Sequence, residues 1–461
     1  MRLAYAICLT LLGCSLGPAY QRPDAPTPAA WRGSGGEPAN WPSADWWHGF
    51  GSSELDGYVV QARQANNDIA AAVARVRQAD ALASVAGAAL LPTIGASVNA
   101  LTERQQASAG GYADLRQVSP QLTASYMLDF WGKNRAAQSA AIATATASRR
   151  DQATVELTVM TSVAQTYFAA LELRDRLTVA DDNVASAEKT LQGLRLQLAA
   201  GIATALDVAQ QETTVSTLSA AIPPLRQQLQ ATLDALAILI GRLPESVGGP
   251  TISLSDLSLP AVSPGLPSEL LERRPDVAEA EAQLIAANAN IAVARAAFFP
   301  SIELTASDGF ASPSLSTLVR SSSRVYSAAA SLTQPIFEGG ALRAQLELAK
   351  ARRDELVANY RKTILGAFAN VEDALVAVQQ SAEQVSRQGT AVAKARRAYQ
   401  ISQAQMHAGT VNILTVLSTE TALFSAQDVL IQARFAQVQS LVSLFSALGG
   451  GWREEPGESG K

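Results

Sequence analysis

Along most of this chain apolar residues recur at helical spacing, but in four short stretches the period changes to two. Ile94, Ala96, Val98 and Ala100 alternate with Thr93, Gly95, Ser97 and Asn99. Leu122, Ala124, Tyr126, Leu128 and Phe130 alternate with Gln121, Thr123, Ser125 and Asp129. Further on, Ile302, Leu304 and Ala306 alternate with Glu303, Thr305 and Ser307, and Tyr326, Ala328, Ala330 and Leu332 with Ser327, Ser331 and Thr333. Each stretch is about ten residues long, the length of a tilted transmembrane strand with one lipid-facing and one watery face. A soluble sandwich strand with one wet face alternates in the same way, so the pattern alone leaves both open. The loops near Gly110 and Gly111 and near Ser321 to Ser323 are the expected external turns.

A very long helical segment is expected after each strand pair. Lys133 to about Ala199 holds no proline and only one glycine, Gly193; at about 1.5 Å per residue it would reach roughly 100 Å. Leu173, Leu177, Ala180, Val184, Ala187, Leu191, Leu194 and Leu198 step by four and three, the spacing of a coiled-coil seam. Val357, Ile364, Val371, Val378, Val385, Val392, Tyr399 and Met406 recur at every seventh position. Gly201 and Gly409 close these segments and read as helix C-caps in hairpin turns, after which a second helix returns. Pro223 and Pro224 are expected to kink or interrupt the first return. Leu55 to about Leu90, and Ser268 to Phe299, read as further helices.

These elements occur twice. Pro92, Thr93 and Ile94 recur as Pro300, Ser301 and Ile302; Gly201, Leu206 and Val208 as Gly409, Leu414 and Val416; Ile240 and Gly241 as Leu448 and Gly449, each 208 residues on. Phe130, Gly132 and Arg135 recur as Phe337, Gly339 and Arg343 within a residue of that offset. Matched landmarks in one order mean two copies of one structural unit.

Four strands cannot close a barrel, and an open edge in hydrocarbon leaves amides unpaired at several kcal/mol each. About eight strands is the practical minimum for closure. If these strands span a membrane, copies of the chain must pool them.

The amino terminus fits such a location. Arg2 precedes a short apolar run, and Leu11, Leu12, Gly13 and Cys14 form a bacterial lipobox in which Cys14 would carry a diacylglycerol and an N-acyl chain. An ordinary secretory signal with a stray cysteine is the other reading. Ser15 in place of an aspartate favours outer-membrane sorting. Cys8 leaves with the signal, so a lipidated mature chain has no free thiol. The Pro-, Gly-, Ala- and Ser-rich stretch to about residue 45 reads as an extended tether, with the ordered part beginning at Trp46, Trp47 and Phe50.

Composition narrows the chemistry. The 461 residues are 48% hydrophobic and 17% charged, with net charge -5, which disfavours nucleic acid as a partner. The two histidines, His48 and His407, lie far apart, and no nucleophile motif, phosphate loop or metal-ligand spacing is present, so an enzyme is not expected. Arg273, Arg274, Pro275 and Asp276 read as a helix start, with proline and an acid in its first turn.

Three stretches carry a family resemblance: Pro18 to Pro23, Asp45 to Leu55 and, above all, Gly265 to Ile302. The chain resembles the TolC-like outer-membrane efflux proteins, of the OprM and NodT lipoprotein type. The resemblance implies an α+β membrane protein and a homotrimer pooling its strands into a 12-stranded outer-membrane β-barrel. A periplasmic α-helical barrel of coiled-coil hairpins and a small mixed equatorial region would continue it. Residues 1–13 are then the signal, 14–45 the lipidated tether, 46–242 the first repeat, 243–267 the equatorial connection, 268–451 the second repeat and 452–461 a disordered tail. The implied partners are outer-membrane lipid, a periplasmic adaptor and an inner-membrane pump, commonly of the resistance-nodulation-division type, with small molecules as cargo. No cofactor is implied beyond the lipid on Cys14.

Carried over by position, the turns at Gly201 and Gly409 form the periplasmic tip, where the adaptor docks and the entrance opens. Relatives often place aspartates after the second glycine; here Thr415 and Ser418 stand there, while Asp207 after the first glycine fits the usual pattern. Weaker cation selectivity than in acidic-ring relatives is the expectation. Glu420 is the nearest acid in the second copy. A lipid-anchored periplasmic scaffold without a pore, or a conduit for polypeptide secretion, are the alternatives; a scaffold would not need four strands of transmembrane length.

Overall fold

The computed structural model describes residues 17–32, 40–106 and 111–453. The signal and Cys14, the turn residue Gly110 and tail residues 454–461 lie outside the described residues. The first repeat contains α1 (Ser53–Ala65), α2 (Asn67–Ala88), β1 (Thr93–Gln106), β2 (Tyr112–Leu128), α3 (Lys133–Ala199) and α4 (Ala205–Leu239). The second contains the single turn α5 (Pro267–Leu270), then α6 (Pro275–Ala296), β3 (Ser301–Phe310), β4 (Arg324–Thr333), α7 (Ala341–His407) and α8 (Ile413–Ala447). The starts of α2, β1, α3 and α4 at Asn67, Thr93, Lys133 and Ala205 reappear 208 residues later at Pro275, Ser301, Ala341 and Ile413. No described helix is long and apolar enough to cross a membrane.

Two compact units divide the chain. One takes residues up to Asp24, Arg75–Arg149 and Glu279–Arg361; the other takes Ala25–Ala74, Arg150–Ala278 and Lys362 onward.

The first unit carries one antiparallel sheet in the order β1-β2-β3-β4. Its register turns four separate alternations into two chemically distinct faces. Ile94 opposes Ala124, Ala124 opposes Ala306, and Ala306 opposes Ala328, an apolar row across every strand. One residue along, Gly95, Thr123, Ser307 and Ser327 form the matching polar row, with the Ser307 and Ser327 hydroxyls 2.9 Å apart. Ile94, Val98 and Leu332 stand exposed on the apolar face, and β1 and β4 each leave one edge unpaired within the chain. Such a sheet needs lipid over the apolar face and further strands at both edges.

The first hairpin exceeds the expected ten residues per strand: β1 has 14 and β2 has 17. Its outer end breaks the alternation with charge. Arg104 Nε donates to Asp114 Oδ1 at 2.9 Å, and the Arg104 guanidinium lies 5.9 Å from the centre of the Tyr112 ring. Pro120 sits inside β2 opposite Val98. Alternate N–H groups of a strand face the same neighbour, and Val118 N–H donates to Ser312 across the β3 side at 2.8 Å. The N–H missing from Pro120 therefore falls on that side, where regular pairing ends at Gln121 and Gly309 and only the isolated Val118–Ser312 bridge continues.

β2 ends at Leu128, short of Phe130, because Asp129 caps α3: its carboxylate accepts from the N–H groups of Asn134 and Arg135, both at 2.9 Å. Trp131 stacks on Phe299 at 4.8 Å and donates to Pro300 O, placing aromatics where the strands begin. The amino-terminal stretch does not hang free as a tether. Pro18 O accepts from Asn288 Nδ2 at 2.8 Å, and Tyr20 and Arg22 both donate to Glu281.

The second unit is centred on aromatic packing. Trp46 stacks on Phe445 at 5.1 Å, and Phe50 lies 4.9 Å from Phe168. Order begins before Trp46 here too: Trp31 is buried against Phe368, and the Arg273 guanidinium lies 4.4 Å from the Trp41 ring centre. The helix expected from Leu55 to Leu90 is split at Asn66, whose extended backbone ends α1 and whose Oδ1 accepts from Asp68 and Ile69 to start α2. The Ser268–Phe299 helix is likewise broken, since α6 starts at Pro275. Arg274 there pairs with Asp276 at 2.6 Å and donates to Ala447 O at 2.9 Å, a structural use of that charged group.

The equatorial stretch forms 3-10 turns at Pro244–Ser246 and Leu254–Asp256 and one bridge, Asn40–Ser263; its β-prone runs make no strand. Val247 and Leu254 instead join the aromatic core. Pro223 and Pro224 do not interrupt α4. Each removes one helical N–H, but both lie on the exposed face while Ile222 and Leu225 anchor the opposite face. The second heptad series is buried or half-buried at all eight positions, whereas Leu198, the last residue of the first series, is exposed.

Candidate functional site at the two helical turns

Both long helices end in the same way. At the first turn Gly201 N–H donates to Leu198 O and Ile202 N–H to Gln197 O; at the second Gly409 N–H donates to Met406 O and Thr410 N–H to Gln405 O. This is a Schellman arrangement. It requires the left-handed backbone that Gly201 and Gly409 adopt, with φ of 74° and 69°.

The starts of the returning helices differ. Before α4, Thr204 and Asp207 form a reciprocal capping box: Asp207 N–H donates to Thr204 Oγ1 at 3.2 Å, and Asp207 Oδ2 accepts from Thr204 N–H at 2.8 Å. Before α8, Asn412 Oδ1 accepts from the Thr415 N–H at 3.2 Å and from its hydroxyl at 3.1 Å, with no acid to reach back. Asp207 is thus engaged in starting a helix, and Thr415 fills its place at the second turn. Thr415 and Ser418 are exposed.

The turns also expose apolar side chains. Ile202 is 77% exposed, Leu206 65% and Leu414 52%. Just behind them all four long helices meet in one cluster that includes Leu194, Val208, Tyr399, Val416 and Phe424. Val208 and Val416, which lie 208 positions apart just behind the two turns, thus share one apolar cluster.

That cluster contains a polar group that sequence reasoning left without a direction. Glu420 is fully buried, at 0% exposure. Its Oε1 accepts from Tyr399 Oη at 2.8 Å and from Ser186 Oγ at 3.5 Å. Its Oε2 has no partner among the described residues, and neither has Oε1 of the buried neighbour Gln211. Burial raises the Glu420 carboxyl above the ordinary glutamate value, with hydrogen bonds from Tyr399, Gln211 and Ser186 opposing. Burial also raises the Tyr399 phenol, and the Glu420 charge adds to it. The period-seven series marked Tyr399, but nothing local marks Glu420 as buried.

Residues 58–242 and 266–450 each match the family model described as outer membrane efflux protein, one match per repeat. The chain is 39% identical over 459 residues to the pyoverdine export outer membrane protein OpmQ of Pseudomonas aeruginosa, covering 97% of this chain and 96% of that protein. It is 34% identical over 465 residues to the toluene efflux pump outer membrane protein TtgF of Pseudomonas putida, covering 98% and 96%. Among solved structures, the CmeC outer membrane channel of Campylobacter jejuni superposes with a TM-score of 0.91 at 25% identity, covering 97% of each chain.

Proposed function

The chain belongs to the outer membrane efflux protein family, and from that premise we propose that its two helical turns form the entrance at which a periplasmic adaptor docks, and that Cys14 carries the lipid. The protein is the outer-membrane channel component of a tripartite efflux system, a TolC-like trimer working with an adaptor and an inner-membrane pump. The four-stranded sheet with one apolar face and two open edges agrees with this assembly, since only pooling satisfies its edges. The channel performs no chemistry of its own in this reading, and a resistance-nodulation-division pump supplies the energy.

The observation that carries the docking proposal is the exposure of Ile202, Leu206 and Leu414 around glycine-capped turns. Apolar side chains held outward on a rigid turn suit a partner that covers them. The cargo is a small molecule, as the relatives named for pyoverdine export and toluene efflux suggest. Replacing Ile202 and Leu206 with aspartate should leave trimer mass and outer-membrane yield unchanged and abolish adaptor crosslinking. Undiminished crosslinking would move the docking surface elsewhere. Lipidation is read separately: intact mass should show acyl chains on the wild type and none on Cys14→Ser.

A further inference from the structure

We propose that α3, α4 and α8 hold a binding site for an uncharged, largely aromatic molecule with one hydroxyl group, anchored on the Asn183 amide. The three helices border an open-sided cavity of about 680 Å³, and all of its lining residues belong to the second unit. Sites for drug-sized ligands span roughly 300–1,000 Å³. The walls are mainly apolar, with Val179 from α3, Leu218, Pro224 and Leu225 from α4, and Phe424 from α8. Asn183 is the exception among them. It lines the cavity, it is only 8% exposed, and its amide makes no hydrogen bond among the described residues. A carboxamide carries two donor hydrogens and an acceptor oxygen, and a buried polar group is costly to leave unbonded. An apolar cavity with one unsatisfied polar group is the usual form of a small-molecule site.

The remaining polar groups of the wall decide what can meet this amide. The hydroxyls of Thr213, Thr214, Thr217 and Thr421 each donate to the carbonyl four residues back. Toward the cavity these oxygens can therefore only accept. The charged lining residues are Arg176 and Asp428, about two helical turns from Asn183 along α3. Arg176 Nε donates to Asp428 Oδ1 at 2.7 Å and Nη1 to Glu172 Oε1 at 3.1 Å, while Asp428 also accepts from Gln432 at 2.6 Å. Both charges are already paired, so the wall favours a neutral occupant. One hydroxyl serves the polar groups that are left, accepting from Asn183 Nδ2 and donating to a threonine oxygen. Rings attached to it would cover Leu218, Leu225 and Phe424, removing apolar surface from water. This site lies on the shafts of the helices and does not rest on placing the turns at the entrance.

The test uses the full-length trimer in detergent and, as probe, a phenol carrying a photoreactive diazirine. Irradiation and peptide mass spectrometry should place the adduct on α3, α4 and α8 around Asn183. Unlabelled 1-naphthol should compete for the site. Asn183→Leu should weaken that competition about tenfold, the worth of a hydrogen bond, and leave competition by naphthalene unchanged. Comparing each compound between the two proteins cancels its partition into detergent. Ala221→Trp fills the cavity from an exposed position of α4 and should abolish the adduct while the trimer mass holds. Labelling of these helices that survives Ala221→Trp overturns the site. An equal response of naphthol and naphthalene to Asn183→Leu overturns the anchoring role of the amide, and with it the proposal. Absence of labelling on the three helices of the wild-type trimer overturns it as well, and would mean that a neighbouring subunit covers the cavity.

Discussion

Glu212 and Glu420 occupy equivalent positions of α4 and α8, each seven residues after the helix begins, and they live in opposite environments. Glu212 is exposed and accepts from Arg195 at 2.8 Å, while Glu420 is fully buried with no cation. The backbones around them match turn for turn. What differs is the company of each helix. α8 is buried repeatedly from Ile413 to Ala447, whereas α4 touches core only through scattered residues such as Val208, Leu225 and Leu236. Duplication thus preserves the geometry of a hairpin, while its neighbours decide which of its acids is solvated and which is buried.

The largest effects are expected at the glycines that terminate the hairpins. Gly449 and Gly409 share a left-handed φ, at 85° and 69°. A side chain on either pays about 1–2 kcal/mol for that conformation. At Gly449 the added Cβ would also lie 1.9 Å from Arg273 O, a backbone atom, whereas at Gly409 nothing lies within 4 Å. Gly449→Ala should therefore lower the melting temperature of the solubilised protein far more than Gly409→Ala. Equal shifts would mean that the end of α8 and the segment at Arg273 can part freely.

Removing the two glutamates should next have opposite effects on stability at neutral pH. The raised folded value of Glu420 means that its stabilising protonated state is complete below 4.5 and is lost as pH rises through the folded value. Glu420→Gln should match wild type at low pH and exceed it increasingly above that window. Glu212→Gln should instead lose the exposed pair with Arg195, about 0.2–1 kcal/mol at neutral pH. Chemical denaturation midpoints across pH decide this; parallel curves for the two variants would refute the contrast.

Sequence patterns were informative wherever one local rule decided the outcome. The period-two stretches found the sheet, absence of proline found α3, and the 208-residue offset recurs in the starts of α6, β3, α7 and α8. They failed where local signals conflict. Asn66 breaks a helix whose apolar spacing continues through it, because its side chain caps α2 better than it extends α1. Pro223 and Pro224 stay helical because Ile222 and Leu225 hold that stretch to the core. The outer halves of β1 and β2 carry a charged cross-strand pair, Arg104 with Asp114, in place of alternation, so the pattern stopped short of them. Glu420 was not legible at all, since Glu212 shows the same local setting and the opposite burial.

The smallest predicted effect separates the turns themselves. The first turn has a carboxylate that reaches back to the Thr204 N–H; the second has the Thr415 hydroxyl on Asn412. Replacing Thr415 with aspartate restores the reciprocal cap, because the position is third in the helix, as Asp207 is in α4. An acid there also meets the positive end of the helix, worth about 0.3–1 kcal/mol at an exposed site. Thr415→Asp should therefore raise stability slightly and in a salt-dependent way, because exposed charges are screened within about 10 Å at 0.1 M salt. In the trimer it adds a negative charge to every second turn. If those turns line the entrance, the reversal potential in a salt gradient must shift toward cation selectivity, and the shift must shrink at high salt. A stabilised protein with unchanged selectivity would show that the second turn caps a helix without bordering the path of ions, and would leave Asp207 as the acid to test there.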